Sequence, residues 1–246
     1  QELQEILPNV VLYLNSNISN ATQLIVSLES LHKAQNLINS CDICIVDEIE
    51  STLRGFASET MRNRQNNMNH FIQIVQNSKY VVALDAHLSQ ETISFFEMCR
   101  GIESIHIEWN QYETYQNRTI LYVQDYSRFL SKIFNDIIIG KKLVVGLMHA
   151  NKAKNLHEEI TRRFPELNVL LITGQTPNEN KMRIMNDVEN EFKRDILIYT
   201  NTLEFGVDFN IEWFDKAYFF GANSSCGAFG LAQMIHRVRK LKDELI

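Results

Sequence analysis

Short apolar, β-branched runs alternate along the chain with amphipathic or polar stretches. The runs Val10–Leu14, Leu24–Ser27, Ile43–Val46, Tyr80–Leu84, Ile105–Ile107, Thr119–Val123, Leu143–Leu147, Val169–Ile172, Ile196–Tyr199 and Lys216–Phe220 predict strands. Several are continuously apolar, as in strands buried on both faces of a parallel sheet. The stretches between them predict helices over Glu59–Gln76, Gln90–Cys99, Ser127–Gly140, Ala150–Arg163, Glu179–Phe192 and Phe229–Lys242. Strand alternating with helix implies an α/β chain of βαβ units with mostly parallel sheets. The segment Glu108–Arg118 is polar and irregular, which places a boundary there and gives two halves, residues 1–112 and 113–246.

Composition narrows this picture. The chain has 246 residues, room for one large domain or two modest ones, and its 45% hydrophobic content is enough to bury a core. With only 3 Pro and 9 Gly it reads as regular elements joined by short loops. No apolar run is long enough to span a bilayer, so no membrane partner is expected. Four cysteines without a secretion signal point to an intracellular setting, nuclear or cytoplasmic. The net charge of −6 gives no general attraction to nucleic acid, so any such binding needs a local patch.

Candidate chemistry begins at CDICIVDEIE, Cys41–Glu50. A predicted strand ends there on Asp47 and Glu48, and parallel α/β sheets bind ligands at the C-terminal ends of their strands. An Asp in that place can hold Mg²⁺, and a neighbouring Glu can activate a water that attacks a phosphate. Alone, Asp-Glu reads more readily as a solvated acidic turn. Cys41 and Cys44 form one pair with no second, and Cys44 lies inside a predicted buried strand, so no metal is expected on them. Further along, LDAHLS (Leu84–Ser89) is another strand ending on a polar cluster. YTNTLEFGVDF (Tyr199–Phe209) and QMIHRVRK (Gln233–Lys240) follow, the latter with Gln233, Arg237 and Lys240 on neighbouring turns of a predicted helix.

In this order the residues resemble superfamily 2 helicases. VDEIE (Val46–Glu50) looks like the Walker B motif and LDAHL (Leu84–Leu88) like motif III. GLMHANKAKNL (Gly146–Leu156) is similar to motif IV, Thr200–Asp208 to motif V and Gln233–Lys240 to motif VI. With LIVSLESLH (Leu24–His32) and VDEIEST added, the resemblance is closer to herpesvirus-type replication origin-binding proteins and covers almost the whole chain.

The resemblance implies two RecA-like domains, the first incomplete at its N-terminus, with ATP and Mg²⁺ in a cleft between them and single-stranded DNA as partner, other replication proteins being further candidates. It makes Asp47 the Mg²⁺ ligand and Glu48 the residue acting on water. Asp85 and His87 would couple nucleotide state to nucleic acid, and Thr200 would touch a strand phosphate. Gly206, Asp208 and Lys240 would lie at the nucleotide, Gln233 would approach the γ-phosphate, and Arg237 or Arg239 would be the arginine finger. Motif VI departs from the usual pattern, with His236 in a glycine's place and Lys240 in that of the last arginine. No Gly-x-x-x-x-Gly-Lys-Ser/Thr loop occurs, and in this family it precedes Leu24–His32, so it is expected ahead of residue 1 and the fragment alone is expected to be inactive. The alternatives are a degenerate relic serving as an interaction module and an RNA-directed helicase.

Overall fold

The computed structural model describes residues 9–13, 21–37, 41–58, 61–111, 118–201, 207–221, 228–243 and 246. It divides into two compact units, Gln1–Asn110 and Gln111–Ile246.

In the first unit, β1 (Val10–Leu12) pairs in parallel with β2 (Gln23–Ile25), and β3 (Ile43–Val46) with β4 (Tyr80–Ala83). The core gathers Leu31, Val46, Ile49, Phe56, Phe71, Ile74 and Val75. Asn67, fully buried on the helix Arg64–Asn77, fastens that helix to the 3₁₀ stretch Leu28–Leu37. Its Oδ1 accepts the His32 N–H at 2.9 Å and its Nδ2 donates to the Glu29 carbonyl at 3.2 Å.

The second unit is built on a parallel sheet of order β6-β7-β5-β8, namely Val169–Ile172, Ile196–Tyr199, Leu143–Leu147 and Lys216–Phe220. The two central strands β5 and β7 are buried at every residue, which is why their sequences are continuously apolar. Alternation along them feeds two cores. Leu143, Val145, Leu147, Ile196 and Ile198 meet the helices Tyr126–Ile138 and Ala150–Arg163. Val144, Leu197 and Tyr199 face Ile184, Phe192, Phe209, Phe214, Met234, Val238 and Leu241.

The α/β class with parallel sheets is as the sequence predicts, and β3, β5, β6, β7 and β8 keep their predicted bounds. Other expectations need correction. Among the described residues Ile105–Ile107 and Thr119–Val123 form no strand, only a bridge at Thr119, and Ile107, Ile120, Leu121 and Tyr122 are exposed. The strand β3 is not buried on both faces, because Ile43 and Ile45 are 59% and 68% exposed. The helix expected over Glu179–Phe192 breaks at Asp187, whose φ of −143° is not helical, into Asn178–Asn186 and Val188–Glu191. The short helix Ile49–Gly55 was not foreseen.

The helix expected over Phe229–Lys242 ends at Ile235. Beyond it Val238 pairs in parallel with Phe209 as an isolated bridge, and Val238 and Leu241 are buried in the core. Tertiary pairing therefore overrides helix propensity there. Gln233 lies on the helix, whereas Arg237, Arg239 and Lys240 lie past its end and not on successive helical turns.

Candidate active site

β3 delivers Asp47 to its C-terminal end, where the side chain is exposed. The next residue, Glu48, takes a left-handed backbone (φ 48°, ψ 56°) and opens the helix Ile49–Gly55. A non-glycine residue in that region costs on the order of 1–3 kcal/mol and persists only where its surroundings fix it. Three bonds fix it here. The Glu48 N–H donates to Asp47 Oδ1 at 3.1 Å, Ile49 N–H to the Leu84 carbonyl at 3.1 Å, and Thr52 N–H to the Glu48 carbonyl at 3.0 Å. The turn thus presents two adjacent carboxylates beyond the strand.

The loop after β4 is laced to that turn. Leu84 N–H extends the strand ladder to the Val46 carbonyl at 2.9 Å. Asp85 accepts the Glu50 N–H through Oδ2 at 3.0 Å and the His87 N–H through Oδ1 at 2.8 Å, leaving the His87 ring exposed. Glu50 completes the lattice: it is buried, and its Oε1 accepts the Ser89 N–H at 2.6 Å. Burial raises the Glu50 carboxyl, but bonds from Thr92 and Ser89 and the charge of Arg54 outweigh it and hold the group below its ordinary value. Sequence reasoning missed Glu50 as a site residue, and no local pattern could have exposed it, since its partners lie 35 and 39 residues away.

In the second unit Thr200 follows β7, buried, its N–H donating to the Ile172 carbonyl at 3.1 Å. Gly206 lies outside the described residues. Asp208 is exposed and accepts Arg239 Nε at 2.6 Å. Gln233 is half-buried on its helix. Arg237 is half-buried; its Nη1 donates to the Val207 carbonyl at 3.4 Å, and its buried Nε has no hydrogen-bond partner among the described residues. Next to it the fully buried Tyr199 donates its hydroxyl to the Met234 carbonyl at 2.6 Å, fixing the end of the helix from which Arg237 departs. Lys240 is exposed. The structure therefore joins Asp47, Glu48, Asp85 and His87 in one lattice, and Asp208 with Arg239 in a second one within the other unit.

Among the described residues no group of three or more His, Cys, Asp or Glu side chains could hold a metal by itself. Burial, with Cys41 adding to it, pushes the Cys44 thiol up to about 11. No described helix is long and apolar enough to cross a membrane.

The parallel α/β units belong to a RecA-like class of fold, as comparison with solved structures shows. Yeast Dbp5 bound to RNA and ADP-BeF₃ superposes with a TM-score of 0.61 at 12% identity, covering 96% of this chain and 62% of that one. The chain matches the family described as origin of replication binding protein over residues 4–177, and it belongs to that family. Among curated proteins it is 29% identical over 247 residues to one named for a helicase/primase complex in African swine fever virus, covering 99% of this chain and 23% of that protein. It is 27% identical over 233 residues to the replication origin-binding protein of human herpesvirus 6A, covering 92% of this chain and 29% of that protein. The chain thus spans about a quarter of the length of these relatives.

Proposed function

We propose that the chain is the motor portion of an ATP-dependent DNA helicase of the replication origin-binding type, coupling ATP hydrolysis to movement on single-stranded DNA. The observation that carries this reading is the braced acidic turn, Asp47 and Glu48 at the end of β3, in a chain of the origin-binding family.

The exposed Asp47 carboxylate suits Mg²⁺, a cation that keeps several waters and takes one or two carboxylates together with substrate phosphates. When bound, Mg²⁺ neutralises charge on the phosphates. Glu48 orients and deprotonates the attacking water, and the turn fixes its backbone beside Asp47. Asp85 and Glu50 hold that turn against the loop carrying His87, the side on which nucleic acid is sensed. From the second unit, Arg237 or Arg239 stabilises charge on the transferred phosphoryl group and Gln233 approaches it. Arg237 has a buried Nε–H without an acceptor among the described residues, while Arg239 would have to leave Asp208. Asp208, Gly206 and Lys240 border the nucleotide, and Thr200 meets a strand phosphate.

The test is ATP turnover by the full-length protein, alone and with single-stranded DNA or RNA of equal length. Stimulation by DNA supports the reading. Stimulation by RNA alone makes the substrate RNA, and no turnover in any condition identifies a non-catalytic interaction module.

A further inference from the structure

We infer that Arg118 is a positioning residue for the segment that carries Arg237 and Arg239. The inference rests on the ATPase reading above.

Past Ile235 the chain makes a single parallel bridge. Phe209 N–H donates to the Arg237 carbonyl at 3.0 Å, and Arg239 N–H donates to the Phe209 carbonyl at 3.0 Å. A longer ladder would next occupy the carbonyl of Arg239, but the bridge is isolated. The Arg118 guanidinium takes that carbonyl instead, Nη2 donating at 2.9 Å from 121 residues earlier. A bond from a charged donor is stronger than a neutral one.

The same stretch grips the chain a second time. Ile246 N–H donates to the Thr119 carbonyl at 2.9 Å, and Leu121 N–H donates to the Ile246 carbonyl at 2.8 Å. Arg239 is therefore held at both ends, its carbonyl by Arg118 and its side chain by Asp208. Arg118 and Arg239 both belong to the second unit, so the bond closes within it. Arg118 itself touches no reacting group. Its work is to fix where the arginine segment sits, so that a guanidinium is delivered without a search, and misplacement by about 1 Å costs on the order of a hundredfold in rate.

The experiment compares kcat and KM for ATP in the full-length protein carrying Arg118→Met or Arg118→Lys, with single-stranded DNA present and Glu48→Gln as the control for the parent reading. Met keeps the aliphatic stem and loses the donor; Lys keeps a donor. The expected result is a kcat lowered about ten- to a hundredfold by Arg118→Met with KM unchanged, and most of the loss recovered by Arg118→Lys. Wild-type kcat in Arg118→Met, a loss carried by KM, a Lys variant as slow as Met, or a Met variant that no longer folds each overturns the positioning role. If Glu48→Gln also turns over like the wild type, the parent reading has failed instead.

Discussion

The carboxylate of Glu50 accepts the backbone N–H of Ser89 at 2.6 Å. Since Asp85 accepts the N–H of Glu50, the loops after β3 and β4 hold each other reciprocally. Ser89 also caps the helix Gln90–Arg100, accepting Thr92 N–H at 3.3 Å, so the lattice reaches into the packing of the first unit.

Glu50→Ala removes the acceptor and leaves a partly buried N–H unsatisfied. The expected loss is about 1–3 kcal/mol of stability in the first unit, read by chemical denaturation. Glu50→Gln keeps an acceptor and should lose less. Equal midpoints for Glu50→Ala and wild type would show that the lattice contributes nothing.

Acid should weaken the same unit. The Glu50 carboxyl is held below its ordinary value of 4.5, so it contributes stability above that pH and loses it as pH falls through the folded-state value. Asp215 behaves alike in the second unit: burial raises its carboxyl, but the Lys142 N–H at 2.7 Å and Lys242 hold it below its ordinary 3.8. Thermal midpoints recorded from neutral pH downward should fall below these values, and Glu50→Gln should flatten the first unit's share. An acid limb of unchanged slope in Glu50→Gln contradicts the assignment.

Tyr199→Phe should destabilise the second unit by about 1 kcal/mol, because it removes the buried 2.6 Å bond to the Met234 carbonyl, which keeps the Arg237 N–H at 3.2 Å. Loosening the helix end there should also slow ATP turnover, since Arg237 departs from it. A variant as stable and as active as wild type would contradict both expectations.

How much of this was legible in the sequence depends on where the partners lie. The strands Leu143–Leu147 and Ile196–Tyr199 could be read directly because burial on both faces leaves an unbroken apolar run. The family was legible from ordered motifs, and the matched family agrees. The path of Arg237–Lys240 was not, since the amphipathic pattern continues past Ile235 while the bridge to Phe209 takes the backbone away. Nor was the helix Ile49–Gly55, which begins on a left-handed glutamate instead of a Ser, Thr or Asn cap. Glu50 and Arg118 act through partners 39 and 121 residues distant, beyond any local rule.

The central claim is that Glu48 activates water beside an Asp47-bound metal. The direct test is steady-state ATP hydrolysis by full-length Glu48→Gln with single-stranded DNA, alongside nucleotide binding by fluorescence. Gln keeps the size of the side chain and one oxygen but not the base. The account predicts retained ATP binding with turnover reduced on the order of a hundredfold or more, the contribution of a positioned general base. Wild-type turnover in Glu48→Gln would contradict it and leave the turn after β3 as a solvated acidic loop.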